Sequence, residues 1–262
     1  MKTKNPGLAL FSFIVYLFLL GPLLIIAVTS FEPGTVLKFP PTGFSLKWYQ
    51  NIFDVEMFMS TFKTSIIVSL LGNVIAILLG VPAAYALNRV TFRGKDTLNA
   101  VFLSPLLIPG IVLGFTLLKY VVITFHFPIY TSLLIGHTII MLPFIIRVIG
   151  SSLANFDFAV EEAALSLGSS RLATFFKVVL PNIKSGIIAS VLLAFLESFN
   201  NVDISLFMTG PGVSTLPIQM LTYVENYFDP TIAAISVLLM LITAVFMFVI
   251  ERLLGLTYFT KQ

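Results

Sequence analysis

The chain has 262 residues, of which 58% are hydrophobic and only 10% are charged, and its formal net charge is +3. Ordinary soluble domains have about a quarter of their residues charged, so this composition predicts an integral membrane protein. The chain has no cysteine, which excludes disulfides, thiolate metal sites and a cysteine nucleophile. Its two histidines, His126 and His137, are spaced like no common metal site, and there is no basic tail that would indicate a nucleic-acid partner.

Six apolar stretches are long enough to cross a bilayer, which takes about 20 residues each. They cover residues 8–30, 64–87, 98–124, 130–149, 185–208 and 231–250. The first stretch follows Lys2 and Lys4 and could be a cleaved signal peptide. We favour a retained helix, because its apolar run is longer than that of a signal peptide and no small-residue cleavage site follows it. The sequence therefore predicts six spans.

The distribution of basic residues predicts the orientation of these spans, since lysine and arginine concentrate on the cytoplasmic side. With a cytoplasmic N-terminus, most of the 15 basic residues fall inside, namely Lys2, Lys4, Arg89, Arg93, Lys95, Arg147, Arg171, Lys177, Lys184, Arg252 and Lys261. Only Lys38, Lys47, Lys63 and Lys119 fall on the other side or near it. Both chain ends are therefore predicted to be cytoplasmic.

Residues 156–181, which we call the elbow, form a polar segment between the fourth and fifth spans. An apolar stripe at helical spacing predicts a first helix capped by Asp157, with the stripe formed by Val160, Ala163, Ala164 and Leu167. Gly168 is suited to end this helix, and Ser169 or Ser170 to cap a second one through Arg171, Thr174 and Lys177. Two small residues allow a partner protein to approach closely, although an amphipathic segment lying in the membrane interface would look similar.

The elbow resembles the EAA motif of bacterial ABC-importer permeases, a pattern of fixed residues with fixed spacing. The matching residues are Glu162, Ala163, Ala164, Gly168, Val178, Leu180 and Pro181, with Val178 in the place of the usual isoleucine. The resemblance implies a coupling helix that seats in a groove of a separate ATPase. This chain has no phosphate-binding loop of its own, since Gly94 and Lys95 are followed by Asp96 and lack the upstream glycine. It is therefore expected to bind no cofactor, while its partner uses ATP and Mg.

The fifth predicted span carries four polar side chains, Glu197, Asn200, Asn201 and Asp203. A carboxylate at the middle of a span costs about 2.5–3.5 kcal/mol on insertion scales and usually marks function. On one continuous helix the four side chains would form a polar wedge about 160° wide. They could line a passage or hydrogen-bond across a packed helix interface. We favour the passage, and acids without a basic neighbour suit a cationic solute.

Stretches along the whole chain are similar to the spermidine/putrescine branch of these permeases, namely residues 44–53, 89–95 and 197–217. Asn200 and Asn201 depart from that branch, where an acidic pair is common. Related branches carry aminophosphonates, amino-acid-like compounds or ferric iron, so these substrates stay open. An ion-coupled secondary carrier that uses Glu197 and Asp203 is the alternative from another class.

The sequence thus predicts an all-α inner-membrane permease of bacteria, one transmembrane domain over residues 1–262 with its core at about 61–255. It makes no covalent chemistry and holds no metal. The resemblance implies three kinds of protein partner: a dimer of ATPases, an extracytoplasmic binding protein and a second permease, which we expect to be non-identical although the sequence leaves a second copy of this chain open. The composition adds the lipid bilayer. His137 and Asn73 either hydrogen-bond across the bundle or line the passage, and Trp48 and Tyr49 either anchor the outer segment or stack on solute.

Overall fold

A computed structural model describes residues 6–254, and the predictions that concern Lys2, Lys4, Lys261 and the two chain ends lie outside these residues. The described part is helical and forms no β-strand, which confirms the all-α class. The first half contains α1 (Pro6–Thr29), α2 (Lys47–Asp54), α3 (Glu56–Arg89), α4 (Lys95–Leu103), α5 (Gly110–Leu117) and α6 (Ile129–Ala154). The second half contains α7 (Phe158–Ser166), α8 (Arg171–Thr174), α9 (Leu180–Asn182), α10 (Lys184–Phe199), α11 (Asp203–Met208), α12 (Leu216–Asn226) and α13 (Thr231–Leu254).

Four helices of the described part are long and apolar enough to cross a membrane, over Gly7–Thr29, Glu56–Arg89, Ile129–Ala154 and Thr231–Phe248. Two further candidates are bent pairs, Lys95–Leu106 with Gly110–Thr124 at 98° and Arg171–Asn182 with Lys184–Phe199 at 72°. By length and composition the described part thus has four spans, or six if each bent pair counts as one.

The third and fifth predicted spans are not the continuous helices that the sequence suggested. In the third, a short 3-10 turn at Ser104–Leu106 precedes Pro109, which has an extended conformation and starts α5. Proline lacks an N–H donor and disfavours a helical residue before it, which explains the break. In the fifth, α10 ends at Phe199 and α11 begins at Asp203.

Side-chain hydrogen bonds explain the break in the fifth span. Asn200 Nδ2 donates to Leu196 O at 3.0 Å, over the end of α10, and Asn201 Oδ1 accepts from Ile204 N at 2.8 Å, over the start of α11. Asparagine side chains compete with the backbone for its hydrogen bonds and so favour helix ends over helix interiors. The polar pair therefore terminates one helix and begins the next.

The described part of the chain divides into two compact units, and the first comprises residues 6–60 together with 219–246. In this unit the loop after α1 folds around Glu32, whose carboxylate accepts from Gly34 N at 2.8 Å and Thr42 N at 2.7 Å. Trp48 is buried and donates its indole N–H to Glu32 O at 2.7 Å, and Tyr49 OH lies 2.7 Å from Ser30 Oγ. The polar groups of Trp48 and Tyr49 therefore both form hydrogen bonds inside this unit.

Among the described residues, the second unit comprises 61–218 together with 247–254. Its apolar interior is built from α3, α6 and α10, around the fully buried Met141, Ile145, Ile149 and Leu153 of α6. Helices α6 and α10 run antiparallel. Their register is fixed by Ser152, whose hydroxyl lies against Gly186, and by His137, whose Nδ1 lies 2.8 Å from Ser198 Oγ.

Candidate functional site

The elbow folds as the pair of helices that its sequence predicts. Asp157 Oδ1 accepts from Ala159 N at 2.9 Å and caps α7, and Ser170 Oγ accepts from Ala173 N at 3.3 Å and caps α8. A π-helical stretch over Phe175–Val179 joins α8 to α9, so the second helix continues to Asn182. The capping predictions are confirmed, with Ser170 rather than Ser169 as the second cap.

Gly168 ends α7 with a φ of 89°, in the left-handed region that favours glycine. Its N–H donates to Leu165 O at 3.0 Å, and Ser169 N donates to Ala164 O at 3.1 Å. This pair of bonds is a Schellman motif, which satisfies the last carbonyl groups of a helix while turning the chain. The EAA pattern therefore encodes a sharp turn between two helices at this glycine.

The predicted elbow residues lie mainly on its outside. Glu162, Ala163, Gly168 and Pro181 are exposed, Ala164 is half-buried, and Leu180 is partly buried against the core of the second unit. The most exposed apolar side chains of the elbow are Leu167 at 90% and Leu172 at 73%. The elbow thus presents an apolar surface that nothing in the described part of its own chain covers.

The elbow is attached to the end of α3 by a cluster that sequence reasoning missed. Arg89 Nε lies 3.4 Å from Glu161 Oε2, and Arg89 Nη2 donates to Glu162 Oε1 at 3.1 Å. Tyr85 OH donates to Glu161 Oε1 at 2.6 Å, and the Arg89 guanidinium lies 5.2 Å from the centre of the Phe158 ring. A charge-assisted cluster therefore holds α7 against α3.

Glu161 is the buried member of this cluster, with a side chain only 7% exposed, whereas that of Glu162 is 63% exposed. A carboxylate that loses its water is stable only with a nearby cation or hydrogen-bond donors. Glu161 has Arg89 and Tyr85 for this purpose. The sequence signal was weak, because Arg89 looks like an ordinary basic residue at the end of a span.

The four polar residues of the fifth span come together, although not on one helix. Glu197 lies in the last turn of α10, Asn200 and Asn201 lie in the break, and Asp203 begins α11. The predicted continuous wedge is therefore wrong. The four side chains nevertheless line one cavity of about 520 Å³, which we call the acidic cleft, together with Phe144, Leu193, Leu196 and Val202.

The Asp203 carboxylate lies beside the backbone of Gly110, the first residue of α5. A Cβ at Gly110 would lie 2.7 Å from Asp203 Cγ, and one at Gly114 would lie 2.6 Å from Asp203 O. Real Cβ atoms essentially never come this close to other heavy atoms. The two glycines therefore let α5 approach α11 and fix the position of Asp203 in the lining of the cleft.

His137 holds the two halves of the fifth span together from α6. Its Nδ1 lies 2.8 Å from Ser198 Oγ of α10, and its Nε2 lies 3.1 Å from Ser205 Oγ of α11. Ser205 Oγ donates to Asn201 O at 2.8 Å, inside the break. His137 is buried, and both of its ring nitrogens are engaged. Of the two roles left open by the sequence, the structure shows hydrogen bonding across the bundle.

Asn73 has the same role on α3. Its Nδ2 donates to Val191 O of α10 at 2.8 Å, and its side chain is buried. Neither Asn73 nor His137 lines the acidic cleft. The described residues also contain no cluster of histidine and acidic side chains that could hold a metal ion.

Comparison with known proteins gives matches over most of the chain. Residues 72–257 match the family model of the binding-protein-dependent transport system inner membrane component. The putrescine transport system permease protein PotI of Escherichia coli (strain K12) is 30% identical, over 90% of this chain and 86% of that protein. The spermidine/putrescine transport system permease protein PotC of Haemophilus influenzae is 28% identical, over 89% of this chain and 90% of that protein.

Solved structures with the same fold include a bacterial ABC transporter involved in the import of the acidic polysaccharide alginate. It superimposes with a TM-score of 0.71 at 19% identity and covers 97% of this chain and 96% of that one. An inward-facing MetNI methionine ABC transporter superimposes with a TM-score of 0.60 at 20% identity, over 77% and 94% of the two chains. At these identities the superpositions establish the fold alone.

Proposed function

This chain belongs to the family of binding-protein-dependent transport system inner membrane components, and we propose that it passes a small cationic solute of the polyamine type through the acidic cleft. It is a permease subunit of an ABC importer in the bacterial inner membrane. The choice of a cationic solute rests on the charges of the residues that line the cleft. Two carboxylates, Glu197 and Asp203, line it, and no basic side chain of the described residues does.

The charge of the cleft favours amine ligands. An ammonium group donates to carboxylate oxygens in hydrogen bonds about twice as strong as those between neutral groups. Asn200 and Asn201 use side-chain groups to shape the break between α10 and α11, so the acids carry the charge of the site. The names of two relatives, a putrescine and a spermidine/putrescine permease, agree with this choice.

The proposal assigns the elbow to a partner ATPase. Its exposed apolar surface, with Leu167 and Leu172, supports a docking role for Glu162, Ala163, Ala164, Gly168, Leu180 and Pro181. In this arrangement the ATPase dimer binds and uses ATP and Mg, and this chain binds neither. A nucleotide can shift the permease between conformations only by as much as it favours one of them through this contact.

The remaining parts of the proposal concern topology and assembly. Each bent helix pair acts as one span, which gives six spans with both chain ends in the cytoplasm, in one transmembrane domain whose core runs over about 61–255. A second, non-identical permease completes the passage, and an extracytoplasmic binding protein delivers the solute. Family membership favours this ATP-driven arrangement over the ion-coupled carrier.

The test is uptake of labelled putrescine and spermidine by cells that express the chain with its genomic partner subunits. We expect uptake that persists when an ionophore collapses the membrane gradients and that falls at least tenfold in the Glu197→Gln variant. The Glu225→Gln variant removes an exposed acid that does not line the cleft, and it should transport normally.

Two results would refute parts of this proposal. Loss of uptake on collapse of the gradients alone would indicate an ion-coupled carrier. Absence of polyamine uptake in a complex that still hydrolyses ATP would exclude the polyamine class, and uptake of labelled aminophosphonates, amino-acid-like compounds and ferric iron would then be measured to identify the solute.

A further inference from the structure

Arg147 is an unpaired cation that lies close to the acidic cleft. It projects from α6 into a neighbouring cavity of about 660 Å³, which we call the serine cavity because Ser151, Ser152 and Ser185 line it. Arg147 is exposed, and its guanidinium makes no ion pair or hydrogen bond with any side chain that the structure describes. Its full charge therefore acts on the space in front of it.

The serine cavity and the acidic cleft adjoin each other. Phe144 of α6 and Leu193 of α10 line both, and we take the two as one groove along these antiparallel helices. The serine cavity is the end closer to the elbow, since Ser185 is the second residue of α10. The groove is thus acidic at one end and basic at the other.

The helix register gives the distance between the two ends. The pairs Ser152 with Gly186 and His137 with Ser198 place Arg147 at about the level of Ala189. Glu197 lies eight residues further along α10, which at about 1.5 Å per residue is about 12 Å. A solute that leaves the acids must pass the guanidinium on its way to the elbow end.

Arg147 also has charged neighbours away from the groove, and within the described part of the chain they do not neutralise it. There the residue borders a third cavity of about 300 Å³, whose lining includes Lys95 and Asp96. These two side chains carry opposite charges, so the pair adds no net charge beside Arg147, and neither forms an ion pair with it in the described part of the chain.

We infer that Arg147 determines charge selectivity at the elbow end of the groove, where it holds a cationic solute back at the acids and opposes its return from the cytoplasm. The inference rests on the proposed function, because it assumes that the solute passes along the groove. The underlying charge effect does not depend on which solute is carried. A unit charge about 8 Å away in a water-like medium changes the local concentrations of a small cation and a small anion about fivefold relative to each other.

The absence of cysteine from the chain allows a direct test of this effect. An Ala189→Cys substitution places a thiol in the groove at the level of Arg147. The assembled complex in membrane vesicles is treated with a cationic or an anionic methanethiosulfonate of similar size, and the reaction rate at this subunit is measured. In buffer of about 0.01 M ionic strength we expect Arg147→Gln to raise the ratio of cationic to anionic rates about fourfold, with a smaller effect at high salt.

Two further variants serve as controls in the same background. Arg147→Lys keeps the positive charge and should leave the ratio close to that of the parent protein. Lys184→Gln removes an exposed cation one residue before Ser185 that does not line the groove, and it should change the ratio less than about twofold. An unchanged ratio in Arg147→Gln, or an equal rise in Lys184→Gln, would overturn the inference.

A transport measurement separates this inference from the proposed function. Vesicles preloaded with labelled putrescine on the cytoplasmic side should lose it faster without ATP in the Arg147→Gln variant than in Lys184→Gln. A shift of the labelling ratio without any polyamine transport would support the role of Arg147 and refute the proposed solute. Normal polyamine transport with an unchanged labelling ratio would support the proposed solute and refute the role of Arg147.

Discussion

Arg89 Nε lies 3.4 Å from Glu161 Oε2, an ion pair that joins the last residue of α3 to the first turn of α7. A displacement of the elbow must therefore either pull on α3 or break this pair. Because α3 is one of the candidate spans, the pair is a direct mechanical connection between the elbow and the membrane. Tyr85, one turn before Arg89, strengthens it through its bond to the same carboxylate.

Substitution of Arg89 should uncouple ATP hydrolysis from transport. In Arg89→Gln the buried Glu161 loses its cation, and Tyr85 alone remains to bind it. Hydrogen bonds to charged groups contribute about 1.5–3 kcal/mol, and the partial exposure of Arg89 reduces this value. We expect uptake to fall roughly fivefold to tenfold while ATP hydrolysis persists.

The control for this variant is Arg93→Gln, which removes an exposed arginine from the loop that follows α3. It should transport normally. Glu162→Lys should behave like Arg89→Gln, because it places a second cation beside the guanidinium. Wild-type uptake and ATP hydrolysis in both Arg89→Gln and Glu162→Lys would show that the cluster has no part in coupling.

Gly168 offers a test of the elbow that involves backbone strain alone. A Cβ at this position would meet nothing within 4 Å, so any effect of a substitution arises from the φ of 89°. A left-handed conformation costs an ordinary residue about 1–2 kcal/mol, and a β-branched residue is disfavoured further. Gly168→Val should leave membrane insertion intact but reduce the amount of ATPase that copurifies with the permease severalfold.

The matched control is Gly168→Asn, because asparagine tolerates the left-handed region better than other side chains. It should retain most of the ATPase. Equal loss in the two variants would mean that the side chain itself obstructs the partner, and equal retention would mean that the turn at Gly168 is not needed.

A substitution at Gly110 should displace Asp203 without touching its charge. In Gly110→Ala the new methyl group would lie 2.7 Å from Asp203 Cγ and 2.8 Å from its Cβ, so α11 must shift. Overpacking of this kind costs about 1–3 kcal/mol. We expect uptake to fall at least fivefold, with a higher solute concentration needed for half-maximal rate.

Gly21→Ala is the control, since a Cβ there would meet nothing within 4 Å and the residue lies in the interior of α1. It should transport normally. If Gly110→Ala also transports normally, then the position of Asp203 does not matter for the solute.

Local features of the elbow could be predicted from the sequence because each depends on neighbouring residues. The caps at Asp157 and Ser170 and the turn at Gly168 follow from residue type and spacing over a few positions. The break in the fifth span was missed for a related reason. Hydropathy favoured a continuous helix, while the signal for the break lay in the side chains of Asn200 and Asn201.

The cluster around Arg89 could not be predicted in the same way. Arg89 and Glu161 are 72 positions apart, and nothing local in either segment indicates the other. The same holds for His137 and its two serine partners on α10 and α11. Such pairs depend on how the helices pack, and composition and periodicity say little about packing between distant segments.

The loop after α1 should show an acid transition that depends on Glu32. Donation from the Thr42 hydroxyl and amide and from the Gly34 amide lowers the pKa of the Glu32 carboxyl, and this effect outweighs the opposing effect of burial. Since the folded pKa lies below the ordinary value of 4.5, the ionised carboxylate stabilises the loop above that pH. This contribution is lost as the pH falls through the lowered folded pKa.

Trp48 is the only tryptophan of the chain, and its indole donates to the backbone of Glu32, so its fluorescence reports on this loop. For the chain purified in detergent, we expect the emission to change only below a pH of 4.5, as the carboxylate takes up a proton. Glu32→Gln has no proton to gain at this site and should lack the transition. Glu56→Gln, which removes an exposed acid of the same unit, should keep it. A transition that survives in Glu32→Gln would assign the acid sensitivity to another group and leave Glu32 without a role in holding the loop.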